Sequence, residues 1–253
     1  HPRYSECFPS QIDGVDVDIL ERSYRSAAAS DVVNPLMGGA GIAETGRAAD
    51  FGTLGGIVYS GNRERYITNQ HVAGNSGSVI VQPPSGNAGT LPGNIGTVLS
   101  SLRNTILDCA IIQPDPARKN QFGILGLPPG QPPQNAIFAY NKLTFIDEHS
   151  TKAFKIGAAT GFNPIRVGTV KNVNTFVEID NIFMSRQIVV DSDDETEIIE
   201  GGDSGSLLLV ESATPNGYFV VGLVHAETNK RQSIVATHFD EIINEFGVSV
   251  LPF

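Results

Sequence analysis

The chain has 253 residues, 40% of them hydrophobic, enough for one domain or two small subdomains around a shared core. Acidic residues outnumber basic ones 27 to 17, a formal charge of −10 without any Lys/Arg cluster, which argues against nucleic acid as a partner. No apolar stretch is long enough to cross a bilayer, so no membrane partner is expected.

Gly (27) and Pro (15) are plentiful and charged residues make up only 17%, a balance that favours short strands and tight turns over helices. Residues 1–45 read as an N-terminal extension, with one strand-like run, "GVDVDIL" (14–20). In it, "GGAGIAETG" (38–46) touches a dinucleotide-binding fingerprint but leads no strand into a helix, so a flexible segment is the expectation. A first strand cluster, within 46–150, contains "TLGGIVYS" (53–60), "RYITNQHV" (65–72), "SVIVQ" (78–82), "IGTVLSS" (95–101) and "LDCAIIQ" (107–113). The six prolines of "QPDPARKNQFGILGLPPGQPPQN" (113–135) mark a connector between clusters. A second cluster, within 151–253, contains "TKAFKIG" (151–157), "VGTVKNVN" (167–174), "TFVEID" (175–180), "SRQIVVD" (185–191), "SLLLVE" (206–211) and "GYFVVGLVHA" (217–226). All are short, rich in Val and Ile, and bounded by turn residues, as in an antiparallel barrel or sandwich. One helix is predicted, in "THFDEIINEFG", where Phe239, Ile242, Ile243 and Phe246 share a face. Thr237 stands at the N-cap with Asp240 three residues on, and Gly247 supplies the stop.

Two cysteines, Cys7 and Cys109, are too few for a disulfide scaffold or a cysteine zinc site. A single bridge between them stays open, but two reduced thiols with Cys109 buried in a strand is the simpler reading. No signal peptide is visible after His1; the compartment stays open, with the cytoplasm favoured over secretion. The acidic run "DSDDETE" (191–197) lacks EF-hand spacing and reads as a solvated loop over a cleft; no metal or cofactor is expected.

The chemistry concentrates in "EGGDSGSLLLV" (200–210), where dense glycines ahead of an apolar run need a reason. A serine hydroxyl is a weak nucleophile unless a base takes its proton, and the resulting oxyanion needs N–H donors already in place. In this turn the N–H groups of Gly202 and Ser204 are placed to converge on such a hole. Of the five histidines, His71 ends a strand beside a small-residue turn. His149 reads as solvated, His238 as lying on the exposed side of the helix, and His1 is terminal. His225 is either a packing residue or part of the site. Asp108 opens an apolar strand, an awkward place for a carboxylate unless it is paired, and a histidine N–H suits it.

"TNQHVAG", "LDCAII" and "GGDSGSLLL" resemble the histidine, aspartate and serine blocks of the trypsin/chymotrypsin-like serine peptidases. "GTLGGIVYS…YITNQHVAG", "KIGAATGF", "QIVV…GGDSGSLLL" and "VGLVHAE…GV" are similar to bacterial trypsin-like proteins and the plant narrow-leaf type proteases, from about Val15 onward. The resemblance implies an all-β, chymotrypsin-like fold of two six-stranded antiparallel β-barrels with a C-terminal helix and the active site between them. It implies catalysis by His71, Asp108 and Ser204, oxyanion donors at Gly202 and Ser204, and a protein or peptide substrate. By the same resemblance, Ile198, Ile199, His225, Ala226 and Glu227 bind substrate in a mainly apolar pocket for medium aliphatic or aromatic residues. In zymogen-activated members a freed N-terminus pairs with the aspartate before the serine, here Asp203; some bacterial relatives use an arginine where this chain has Ala158. Arg166 or a nearby lysine is the candidate here. The sequence leaves three readings: a serine endopeptidase, a catalytically idle relative that binds peptides or scaffolds, and an esterase on the same residues. The last lacks the nucleophile-elbow pattern of the α/β-hydrolases.

Overall fold

The computed structural model describes residues 11–12, 15–16, 32–47, 50–84, 93–126, 138–139, 146–211, 218–227 and 231–250, with backbone alone for 11–12, 15–16, 138–139 and 162–167. Cys7, the side chain of Arg166, and most of the "GVDVDIL" run lie outside the described residues. Two short strands, β1 (Gln11–Ile12) and β2 (Val15–Asp16), pair antiparallel. Then come β3 (Leu36–Gly38), β4 (Gly41–Glu44), β5 (Gly52–Thr53), β6 (Gly56–Ser60) and β7 (Arg63–Thr68). A four-residue helix, α1 (Gln70–Ala73), leads to β8 (Val79–Gln82), β9 (Gly93–Arg103), β10 (Asp108–Pro114) and β11 (Asn120–Ile124). The second half has β12 (Phe138–Ala139), β13 (Lys152–Gly157), β14 (Gly161–Ile179), β15 (Ile182–Ser192), β16 (Leu207–Glu211), β17 (Tyr218–Glu227), β18 (Ser233–His238) and α2 (Phe239–Phe246).

The strands form two curled sheets of seven, in the orders β5-β4-β8-β9-β10-β7-β6 and β12-β17-β16-β13-β14-β15-β18. An added β17–β18 pairing closes the second into a ring of six, leaving β12 as a parallel appendage on β17. The first likewise has six main strands, and the seventh is the two-residue β5. Closure hides the edges that a free sheet would expose.

Several local expectations are corrected. The "GGAGIAETG" segment is no flexible tail: Ile42 and Ala43 are fully buried, and β4 pairs with β8. The proline-rich connector contains β11, which pairs in parallel with β3. "VGTVKNVN" and "TFVEID" are one long strand, β14, because register shifts let it bend without ending. It turns back at Asp180-Asn181, both at positive φ (51° and 63°), as tight hairpins require. α2 begins one residue later than expected. His238 is its N-cap, whereas Thr237 is buried in β18. His238 is buried rather than exposed, its Nε2–H donating to the Val173 carbonyl, and burial pulls its pKa down. Gly247 does end the helix, in the left-handed region at φ 61°.

One apolar cluster joins the halves. Val58, Ile67, Cys109 and Ile111 from the first sheet meet Phe154, Leu207, Leu209 and Leu223 from the second, with Phe239 and Ile242 of α2 beneath. Cys109 is a free, fully buried thiol there. Separate clusters fill each barrel. Among the described residues no helix is long and apolar enough to cross a membrane.

Candidate active site

The Glu200–Ser206 turn links the loop after β15 to β16, and its glycines have specific reasons. Gly202 sits at φ 107°, and a Cβ there would lie 2.4 Å from the Phe51 ring. Gly205 sits at φ 96°, where a Cβ would lie 2.1 Å from the Thr53 carbonyl oxygen. The first barrel therefore presses on the turn too closely for side chains. Thr53 clamps it: its Oγ1 donates to the Gly202 carbonyl at 2.8 Å, and its N–H donates to the Ser204 carbonyl at 2.7 Å. The N–H groups of Gly202 and Ser204 donate to no partner among the described backbone hydrogen bonds, so both remain available.

Asp203, between them, is wholly buried, and its partner is Lys155 of β13, 2.5 Å away and equally buried. The N–H groups of Ala159 and Thr160 donate to Oδ1 at 3.0 Å each, and that of Glu200 donates to Oδ2 at 2.9 Å. Lys155 Nζ also donates to Thr160 Oγ1 at 2.8 Å. The counter-charge that the sequence left open is thus a lysine inside a strand. Its signal was present in "TKAFKIG", a cation in an otherwise buried strand.

His71 and Asp108 are brought together by α1, which starts where β7 ends. Asp108 Oδ1 accepts the N–H groups of Gln70 (2.7 Å) and His71 (3.3 Å), while Oδ2 meets His71 Nδ1 at 2.7 Å. Asn69 Nδ2 ties the Asp108 carbonyl at 2.7 Å. Burial alone would push the Asp108 carboxyl up. The hydrogen bond and charge of His71, helped by His225 and Arg103, outweigh that and hold it below the usual carboxylate range. Sequence reading missed Arg103. Its Nε lies 3.2 Å from Asp108 Oδ2 as an ion pair without hydrogen-bond alignment, and its Nη2 donates to Asp180 at 2.6 Å. Arg103 and Asp108 face each other across the β9–β10 ladder, so the hairpin "RNTILD" carried the signal.

Ser204 and His71 open on one cavity of about 500 Å³, rimmed by Arg47, Asp50 and Phe51. The Ser204 hydroxyl points to the His225 carbonyl at 3.5 Å rather than to His71. A second hollow of about 220 Å³ adjoins Ser204 and is lined by Ile199, His225, Ala226 and Glu227, together with Ile179, Asp180, Glu200 and Gly201. Ile198 does not line it; its side chain is buried in the second barrel's core. His149 is exposed, as expected, and "DSDDETE" is a largely exposed loop in which Asp194 accepts from Ser192 and Thr196.

His225 is almost fully buried and neutral, with burial lowering its pKa to about 4. The Gln187 amide donates from Nε2 to the carbonyls of Ile106 and Ser185, so its oxygen must be the partner of His225 Nε2 at 2.8 Å. The Nε2 proton of His225 is therefore committed to Gln187, leaving Nδ1 as the accepting nitrogen.

Several solved structures share this fold. One is a glutamic-acid-specific serine protease that uses a histidine triad in substrate binding (TM-score 0.62, 19% identity, 85% of this chain and 100% of that one). Others are Thermobifida fusca protease A (0.60, 18%, 86% and 98%) and a Nocardiopsis protease (0.60, 13%, 84% and 97%). No curated protein sequence matches the chain. The profile of peptidase family S64 covers residues 97–248, more than half of the chain and including Asp108 and Ser204. With that match and a chymotrypsin-like fold, the chain belongs to peptidase family S64.

Proposed function

We propose that the protein is a serine endopeptidase that hydrolyses peptide bonds through an acyl-enzyme on Ser204. The observation that carries this reading is the 2.7 Å His71–Asp108 contact opening on the cavity that holds Ser204. Asp108, kept ionised, holds the proton on His71 Nδ1 and leaves Nε2 as the base. His71 takes the Ser204 proton as Oγ attacks the substrate carbonyl, and later gives it to the departing amine. Asp108 balances the imidazolium formed in between. The free N–H groups of Gly202 and Ser204 receive the oxyanion. Water then attacks the ester with His71 again as base. Contacts between nucleophile and base are often loose without substrate and tighten when it binds.

For the residue before the cut, the hollow beside Ser204 supports a neutral side chain of medium size. An acidic side chain needs a donor, and the His225 N–H is already given to Gln187. The carboxylates of Asp180, Glu200 and Glu227 around the same hollow would repel it further. The glutamic-acid-specific protease of similar fold uses a histidine triad in substrate binding; here the N–H of the histidine at the hollow is given to Gln187.

A fluorophosphonate probe followed by peptide mapping tests the reaction class. Labelling confined to Ser204, abolished by Ser204→Ala with an unchanged thermal melt, is expected. A folded chain that the probe leaves untouched would make this an idle relative.

A further inference from the structure

Another hollow, of about 950 Å³, is set into the first barrel and shares no lining residue with the cavities at Ser204. Its walls carry four cations, Arg63, Arg65, Arg118 and Lys119, against two carboxylates, Glu64 and Asp115. On a chain of charge −10 this is a local reversal of sign. Neither carboxylate neutralises a cation. Glu64 accepts from Asn120 Nδ2 at 3.1 Å, and Asp115 accepts the Ala117 N–H at 2.8 Å. Among the described residues, none of the four cations makes an ion pair.

Arg65 is the telling member. Strand alternation in β7 puts it on the face of Arg63 while Tyr66 enters the core. It is only 6% exposed, yet among the described residues its one hydrogen bond runs from Nη1 to the neighbouring Glu64 carbonyl at 2.7 Å, and its Nε has no acceptor. Arg118 repeats the pattern: Nη2 donates to the carbonyls of Val33 (2.6 Å) and the Gln82 side chain, while the buried Nε is unmet. Burying a guanidinium without counter-charge works against folding unless an anion repays it. Desolvation, with Arg63 nearby, already lowers the Arg65 pKa.

We propose that this hollow is an exosite for a peptide segment carrying clustered anionic groups, carboxylates or phosphates, held by Arg63, Arg65, Arg118 and Lys119. The planar guanidinium fork matches both anions. The exposed Arg63 and Lys119 steer the segment in from the rim. The volume exceeds what one inorganic anion fills, which favours several residues of chain over a lone ion.

The test is fluorescence anisotropy on the full chain carrying Ser204→Ala, so that binding is read without turnover and stands apart from the peptidase assignment. The probes are labelled hexaglutamate, an equivalent phosphoserine peptide, hexaglutamine and a short single-stranded oligonucleotide. At least one anionic peptide should bind, more weakly as salt rises, and hexaglutamine should not; the stronger of the two identifies the preferred anion. Arg63→Glu with Lys119→Glu, both at exposed positions, should weaken binding by about ten-fold or more. In the active chain, the same pair should leave cleavage of a short neutral peptide unchanged. No binding by either anionic peptide, equal binding by the folded double variant, or tighter binding of the oligonucleotide would overturn the proposal.

Discussion

Lys155→Met tests the most consequential contact of the site. The substitution keeps most of the side-chain volume and removes the charge opposite Asp203, both groups being fully buried. Breaking a buried pair from one side costs about 3–5 kcal/mol, because the remaining charge stays out of water. Three backbone N–H groups still solvate Asp203, at 2.9 to 3.0 Å, which places the loss near the lower end. In a domain of this size each kcal/mol lowers Tm by about 2–4 °C, so calorimetry should show a drop of roughly 6–12 °C. Asp203 belongs to the turn that aims the Gly202 and Ser204 N–H groups, so fluorophosphonate labelling should slow as well. Lys155→Met with Asp203→Asn should recover part of the stability, since no charge is then stranded, but not the labelling rate. A melt within about 2 °C of the parent, or additive effects in the double variant, would refute the pairing as the support of the turn.

Arg103→Gln should lower kcat/KM by about ten-fold, near 1.4 kcal/mol, through loss of the cation beside Asp108. Asp180→Asn, which leaves that cation in place, should cost clearly less; equal losses would reduce Arg103 to a surface link. His225 gives a pH prediction. The unfolded chain takes up a proton near 6.5 that the folded protein refuses until about 4, so stability falls as pH drops through that window. At about 1.4 kcal/mol per pH unit the loss approaches about 3 kcal/mol, and His225→Gln should show a shallower fall in urea unfolding; parallel curves would contradict a buried neutral imidazole. A peptide-library profile should show cleavage after neutral residues, and dominance of glutamate would mean that the Gln187–His225 bond breaks on binding.

The barrels and the three catalytic candidates were legible because each lies in a run with its own local signature. Short Val/Ile strands, the glycines of "GGDSGS" and a lone aspartate opening "LDCAII" all speak at short range. What stayed hidden depends on residues far apart in the chain. Lys155 and Asp203 are 48 positions apart, and only the β13–β16 ladder beside them brings them together. Ile198 and Ile199 look alike in sequence and both are buried in the second barrel's core, yet only Ile199 also borders the hollow by Ser204. His238 follows a strand directly and opens a helix; periodicity placed it on the solvent side because the N-cap was set one residue early. Strand β18 escaped notice although "SIVATH" is a fair strand sequence, since the helix pattern after it drew in Thr237.

The two barrels are also mechanically dependent on each other at the site. His71 and Asp108 belong to the first barrel, while Ser204 and the Gly202 and Ser204 N–H groups proposed as oxyanion donors belong to the second. Thr53 of the first barrel holds the carbonyls of Gly202 and Ser204, and its Oγ1 accepts the Ala158 N–H at 2.8 Å. Arg103 spans from Asp108 to the β14–β15 turn, and Ser185 and Gln187 of β15 bond the Thr105 and Ile106 carbonyls. Opening the barrels by even a small angle would break these bonds and move Ser204 away from His71. Donors useful to a transition state must be in place before charge develops. The apolar cluster between the halves therefore holds the proposed site together as well as the fold: what weakens that cluster should weaken turnover before it unfolds either barrel.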